Sequence, residues 1–86
     1  MDTQKEKDRL AKVLDWFRRA MRNRLEEQVD AGYVNWDVKE ALSNEILISE
    51  MEKDIQLLRA GETKEIDIAN RAMMLWARRS IVLPSI

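Results

Sequence analysis

The feature that most constrains the fold is a run of apolar residues that recurs every three or four positions near the start of the chain. Seven residues follow this spacing without a gap: Leu10, Val13, Leu14, Phe17, Met21, Leu25 and Val29. The period is that of one face of an α-helix. It predicts an amphipathic helix from about residue 4 to about residue 29, which Thr3 and Glu6 open as a capping box.

This predicted helix is too long for the compact core of an 86-residue chain. At 1.5 Å per residue it would measure roughly 38 Å. A compact domain of this length has a radius of gyration near 12 Å, hence a diameter of about 31 Å. The helix therefore overhangs the core of a single chain, and we expect a second copy to cover the overhang in a homodimer.

The scarcity of turn residues indicates an all-α fold. The chain has two glycines and one proline, whereas a sheet protein of this length would need several turns. Gly32 and Gly61 each mark a connection. Between them we predict a helical region at 36–60, capped by Asn35, with a second start near residue 43 as an open alternative because Ser43 and Asn44 favour caps.

A third helix is predicted at 63–79, capped by Thr63 and followed by an apolar tail at 80–86. The short connection at Gly61 makes the second and third helices antiparallel. The whole is a single domain, 1–86, with the fold of a three-to-four-helix antiparallel bundle completed by dimerisation.

Composition excludes several kinds of function. The chain lacks cysteine and histidine, so thiolate sites and the usual general base are absent and any metal would be held by oxygen, as magnesium or manganese is. A net charge of -1 argues against nucleic acid as a partner. No apolar run reaches the roughly 20 residues of a membrane span, and the first residues lack the apolar core of a signal peptide. The expected location is the cytoplasm.

Four polar residues in the second and third helices are candidate magnesium ligands. Asp67 and Asn70 lie three apart at the edge of an apolar stripe, and Glu50 and Asp54 lie four apart beside another. Because the two helices form a hairpin, these side chains could share one ion. The alternative is that they only face water at the border of the core.

The outer face of the first helix carries arginines that form a candidate phosphate-binding patch around Arg18, Arg19 and Arg22. Interleaved acids favour the simpler interpretation, a solvated face with ion pairs along the helix. Trp36 either packs over the end of the core or stacks on a nucleobase.

The segment from Asp67 to Asn70, with Ala72 to Leu75 after it, resembles the small all-α, MazG-like nucleoside-triphosphate pyrophosphohydrolases, especially the short phage types. Gly32, Tyr33 and Trp36 are similar to a Gly-Trp segment of that family. The resemblance implies a dimeric or tetrameric helical bundle. It also implies four acids that hold magnesium and a bound water, which release pyrophosphate from a nucleotide and leave the monophosphate.

The chain departs from the four-acid pattern of that family. Lys64 stands three positions before Asp67, where the family pattern has an acid. Together with Arg18, Arg22 and Trp36, Lys64 is a candidate for binding the phosphates of a nucleotide or the nucleotide itself. Whether the protein is an enzyme therefore stays open. The alternatives are a non-catalytic relative that binds a nucleotide or a host protein, as a small phage-encoded inhibitor would, and a plain helical dimerisation module.

Overall fold

The computed structural model describes residues 2–34, 36 and 42–80. Within them the chain forms three helices: α1 (Thr3–Asp30), α2 (Asn44–Arg59) and α3 (Glu65–Ser80). The described residues contain no strand, which confirms the predicted all-α fold. The predicted cap at Asn35, the first part of the 36–60 region between 37 and 41, and the tail after Ser80 lie outside the described residues.

At two of the three helices, the residue that flanks the N-terminus is not the predicted N-cap. Asp2, not Thr3, caps α1, and its carboxylate accepts a hydrogen bond from the Lys5 backbone N–H at 3.1 Å. A carboxylate also interacts favourably with the helix dipole. Lys64, not Thr63, flanks α3, since its carbonyl accepts the first helical hydrogen bond, from Ile68.

The structure shows the alternative of a helix start near residue 43. The Ser43 hydroxyl accepts a hydrogen bond from the Ile46 backbone N–H at 3.2 Å, which is the usual N-cap contact. The helix α2 therefore begins at Asn44.

The turn after α2 depends on Gly61, whose φ is +96°. In this turn the Gly61 and Glu62 N–H groups donate to the carbonyls of Leu58 and Leu57, each at 3.0 Å. The turn sends α3 back along α2, so that Arg78 near the end of α3 donates to Asn44 at the start of α2. The antiparallel hairpin is thus present as predicted.

Gly61→Ala is expected to lower the free energy of unfolding by about 1 kcal/mol, because a side chain disfavours positive φ. A Cβ at this position meets no neighbouring atom within 4 Å, so backbone conformation alone would carry the effect. Urea denaturation would measure it, with Ala60→Ser, at the adjacent exposed position, as the control. Equal stability of the Gly61→Ala protein and the wild type would contradict the assignment.

The helix α3 lies in the middle of the molecule. It packs against both α1 and α2, which make no close backbone contact with each other. Among the described residues only Leu47 and Ala77 are fully buried apolar side chains. The radius of gyration is 15.3 Å, against about 12 Å for a compact chain of this length. A single copy therefore has an open arrangement with a small core.

The first half of α1 extends beyond this core. The helix has 28 residues and a length of about 42 Å. Leu10 and Leu14 on its apolar face are 61% and 67% exposed. The predicted overhang is present, and the second copy that would cover it remains a prediction. Within the described part of the chain, each helix is too short or too polar to cross a bilayer.

Candidate functional site

A groove runs between α1 and α2, with α3 as its floor. Its volume is about 810 Å³. The second half of α1 and the first half of α2 form its two walls, and residues of the connection between them complete the rim. Apolar side chains supply most of the lining: Leu25, Val29, Val34, Leu42, Ile46, Leu47, Met73 and Met74, with the aromatic Tyr33 and Trp36.

One wall of the groove is tied to its floor by an ion pair. The Arg24 Nε on α1 donates to the Asp67 Oδ1 on α3 at 2.9 Å. Arg24 also donates to Glu27 at 3.3 Å. The hydrogen bond to Asp67, followed by the bond to Glu27, raises the pKa of Arg24 above its ordinary value. Arg24 is therefore charged at neutral pH, and the Asp67 carboxylate has a cation beside it.

The other wall is tied to the floor by Arg71 of α3. Its guanidinium bonds the carboxylate of Asp54 on α2 and lies 4.0 Å from Glu50, one turn earlier on the same helix. Asp54 is only 6% exposed. A carboxylate so far from water needs a cation or several hydrogen bonds, and Arg71 provides the cation.

Asn70 lies between these two ion pairs, at the centre of the floor. It is 2% exposed, and its side-chain amide donates to the Met21 carbonyl on α1 at 3.2 Å. Its Oδ1 atom is buried and has no hydrogen-bond partner among the described residues. The amide therefore joins α3 to α1 with one of its two polar groups and leaves the acceptor unused.

The predicted magnesium ligands are only partly brought together. Glu50, Asp67 and Asn70 line the groove, whereas Asp54 is not part of its lining. Within the described residues no three acidic side chains come close enough to hold one ion. Each of the three acids already faces an arginine, either Arg24 or Arg71. This donor set does not fit a magnesium site, because an ion would have to displace both guanidinium groups.

The predicted phosphate contacts are scattered. Arg18 bonds Asp15 at 2.9 Å and Arg22 bonds Glu26 at 3.1 Å, both along the exposed face of α1 and outside the groove lining. Arg19 also bonds Asp15, at 3.0 Å. These ion pairs fit the simpler interpretation, in which the outer face of α1 is solvated. Lys64 is outside the groove lining, and Trp36 alone of the predicted set is part of it.

Trp36 is held by a side chain that sequence reasoning did not single out for this role. Arg78 of α3 donates to the Trp36 carbonyl and, at 2.9 Å, to the Asn44 side chain. It thereby fixes the rim of the groove to the start of α2. This contact fixes the backbone of Trp36 and leaves both interpretations of its side chain open.

The two arginines that pair with the acids were also missed. A signal for Arg71 existed, because it lies four positions after Asp67 and shares the inner face of α3. A signal for Arg24 existed too, since it lies three positions after Met21 within the apolar stripe of α1. Their partners are 17 and 43 positions away, which no local pattern reveals.

Comparisons with protein-family models, with curated proteins and with solved structures found no match to this chain. The resemblance to MazG-like pyrophosphohydrolases therefore rests on the sequence segment around Asp67 to Leu75.

Proposed function

We propose that this chain is a non-catalytic binding module whose groove accepts an apolar α-helix of a protein partner. The observation that carries the proposal is the pairing of the acids in and beside the groove with arginines of the same chain. Arg24 bonds Asp67, and Arg71 bonds Asp54 beside Glu50. These internal cations provide the charge balance that a bound metal would otherwise provide.

The charge of the groove argues against a free nucleotide as the ligand. Its lining contains two arginines and three carboxylates, Glu27, Glu50 and Asp67. The surface that a triphosphate would meet therefore has one net negative charge, with both arginines already paired. Phosphate recognition normally needs unpaired arginines or backbone N–H groups.

The shape and chemistry of the groove favour a helix instead. Apolar side chains from all three helices line it, and two adjacent methionines, Met73 and Met74, lie on its floor. Methionine adapts to different packing partners and is common at surfaces that bind amphipathic helices. A helix in this groove would also contact both α1 and α2, which make no close backbone contact with each other in a single copy.

A magnesium-dependent pyrophosphohydrolase is the second candidate. It is favoured by one observation, that Glu50, Asp67 and Asn70 line the same groove, and by the resemblance of the α3 segment to that family. It requires that a magnesium ion outcompete Arg24 and Arg71 for the acids.

Incubation of the purified chain with nucleoside triphosphates and millimolar magnesium separates the two candidates. We expect no pyrophosphate above the rate without protein, and no rise in melting temperature on addition of magnesium. Asp67→Asn and the exposed control Glu52→Gln should behave like the wild type. Pyrophosphate release that Asp67→Asn abolishes and Glu52→Gln retains would overturn the proposal in favour of the enzyme.

A further inference from the structure

Two apolar surfaces lack a partner among the residues that the structure describes. The first is the groove. The second, here called the N-terminal stripe, is the exposed face of α1 formed by Leu10, Val13, Leu14 and Phe17. Three of its side chains are more than half exposed, at 61%, 55% and 67% for Leu10, Val13 and Leu14. An isolated apolar patch of this kind marks an interaction site.

We propose that the groove of each copy takes the N-terminal stripe of a second copy, so that two chains bury both surfaces reciprocally. This inference rests on the proposed function and names the partner of the same groove. The stripe and the wall that Arg24 to Val29 form belong to one continuous helix. A stripe therefore cannot fold back into the groove of its own chain, and a two-fold dimer satisfies both surfaces at once.

The dimensions of the two surfaces match. The stripe from Leu10 to Phe17 covers eight residues, which is about 12 Å or roughly two turns of helix. A helix about 10 Å in diameter and two turns long occupies roughly 850 Å³. The groove holds about 810 Å³. The groove is therefore of the same order of size as the two turns of helix that contain one stripe.

The surface area of the chain supports a dimer of this size. A single copy exposes 7151 Å², whereas a compact monomer of 10.2 kDa exposes about 5,300 Å². A single copy therefore exposes about 1,800 Å² more surface than a compact monomer of the same mass. A stable interface of standard size buries about 800 Å² per partner. The excess is large enough to form such an interface and leave the other faces unchanged.

The charges of the two surfaces do not oppose insertion. The stripe from Leu10 to Phe17 contains one basic and one acidic residue, Lys12 and Asp15, so it has no net charge. The groove lining has one net negative charge, from two arginines and three carboxylates. Insertion of the stripe therefore meets no net repulsion.

Sedimentation equilibrium of the full chain and four variants tests the proposal. We expect a dimer of twice 10.2 kDa for the wild type. Leu14→Glu in the stripe and Ile46→Glu in the groove should each raise the dissociation constant by about a hundredfold or more, because each places a charge in an apolar interface. The matched controls are Lys12→Glu on the opposite face of α1 and Ile55→Glu on another face of α2. Both controls should remain dimeric.

Cysteine cross-linking gives a test that does not depend on charged substitutions. The chain has no native cysteine, so Leu14→Cys and the groove-rim variant Val34→Cys can be prepared separately and mixed. Under mild oxidation we expect a disulfide-linked dimer that contains one chain of each kind. A mixture of Lys12→Cys, on the opposite face of α1, with Val34→Cys should give far less of this product.

The outcomes distinguish this inference from the proposed function. A wild-type monomer, a dimer that both Leu14→Glu and Ile46→Glu leave intact, or equal cross-linking by Leu14→Cys and Lys12→Cys would overturn the second copy as the occupant. In those cases the proposed function, a groove that binds a helix of another protein, would still stand. Pyrophosphate release would overturn the proposed function whatever the oligomeric state.

Discussion

Replacement of Arg71 by methionine is expected to lower the free energy of unfolding by about 3 kcal/mol or more. Asp54 is 6% exposed, and Arg71 is the cation that bonds it in the structure. Methionine keeps much of the length of the side chain and removes the charge. The variant would leave a buried carboxylate without its cation, which is one of the few single changes with so large an effect.

A series of matched variants would show that burial sets the size of this effect. Arg24→Met removes a pair whose arginine is 43% exposed, so a loss of about 1 kcal/mol or less is expected. Arg9→Met removes the pair with Glu6 on the exposed face of α1 and should change almost nothing. Urea unfolding at one fixed protein concentration would measure all three, because dimer stability depends on concentration.

A double variant tests the mechanism. Asp54→Leu combined with Arg71→Met replaces the buried pair by apolar side chains and should recover most of the stability that Arg71→Met alone loses. An Arg71→Met protein as stable as Arg9→Met would show that Asp54 is not held by this pair.

Asn70→Asp is expected to destabilise the protein by about 3 kcal/mol at neutral pH. The side chain is 2% exposed, and its amide nitrogen donates to the Met21 carbonyl at 3.2 Å. The aspartate has nearly the same shape but would bring a buried negative oxygen against that carbonyl. Burial without a compensating donor disfavours the charged form and raises the pKa of such a carboxyl.

The pH dependence of this variant follows from that raised pKa. Below the ordinary aspartate pKa of about 3.9 the carboxyl is protonated in both the folded and the unfolded chain, and its O–H can donate to Met21. As the pH rises above that value, the unfolded chain ionises first and is favoured. The difference in stability between Asn70→Asp and wild type should therefore grow from pH 4 to pH 7. The exposed control Asn23→Asp should show little of this difference.

Magnesium provides a second readout for Asn70→Asp. The variant adds a carboxylate beside Glu50 and Asp67, in the groove that the magnesium hypothesis assigns to the ion. If Arg24 and Arg71 hold these acids as the structure indicates, millimolar magnesium should not restore the lost stability. Magnesium-dependent recovery would instead show that the acids can release their arginines, and it would favour the enzyme as the function.

The helices themselves were predictable because the signals for them are local. The stripe from Leu10 to Val29 repeats at the period of one helix face, and α1 extends only one residue beyond the predicted bounds at each end. Ser43 was recognised as a cap for the same reason, since its contact reaches only three residues along the chain. The errors at Thr3 and Thr63 are of one position each, where neighbouring residues compete to flank the same helix.

The candidate site was only half predictable. The reasoning from sequence singled out Glu50, Asp67 and Asn70, and the structure brings these three to one groove. It missed Arg24 and Arg71, because the choice between a metal ion and an internal arginine as the counter-charge depends on which helix faces lie opposite each other. Asp54 shows the difference most clearly. Its spacing from Glu50 suggested a shared ion, whereas the packing of α3 against α2 gives it a guanidinium and buries it.

The sequence by itself determined that this protein is helical, where its helices bend back at Gly61, and that the first helix outreaches its own core, because periodicity, caps and glycine conformation act within a few residues along the chain. Only the tertiary structure decided that α1 and α2 stay apart across α3 and leave an apolar groove, and that arginines neutralise its acids. Those features arise from contacts between residues up to 49 positions apart, which depend on how the helices are rotated and packed.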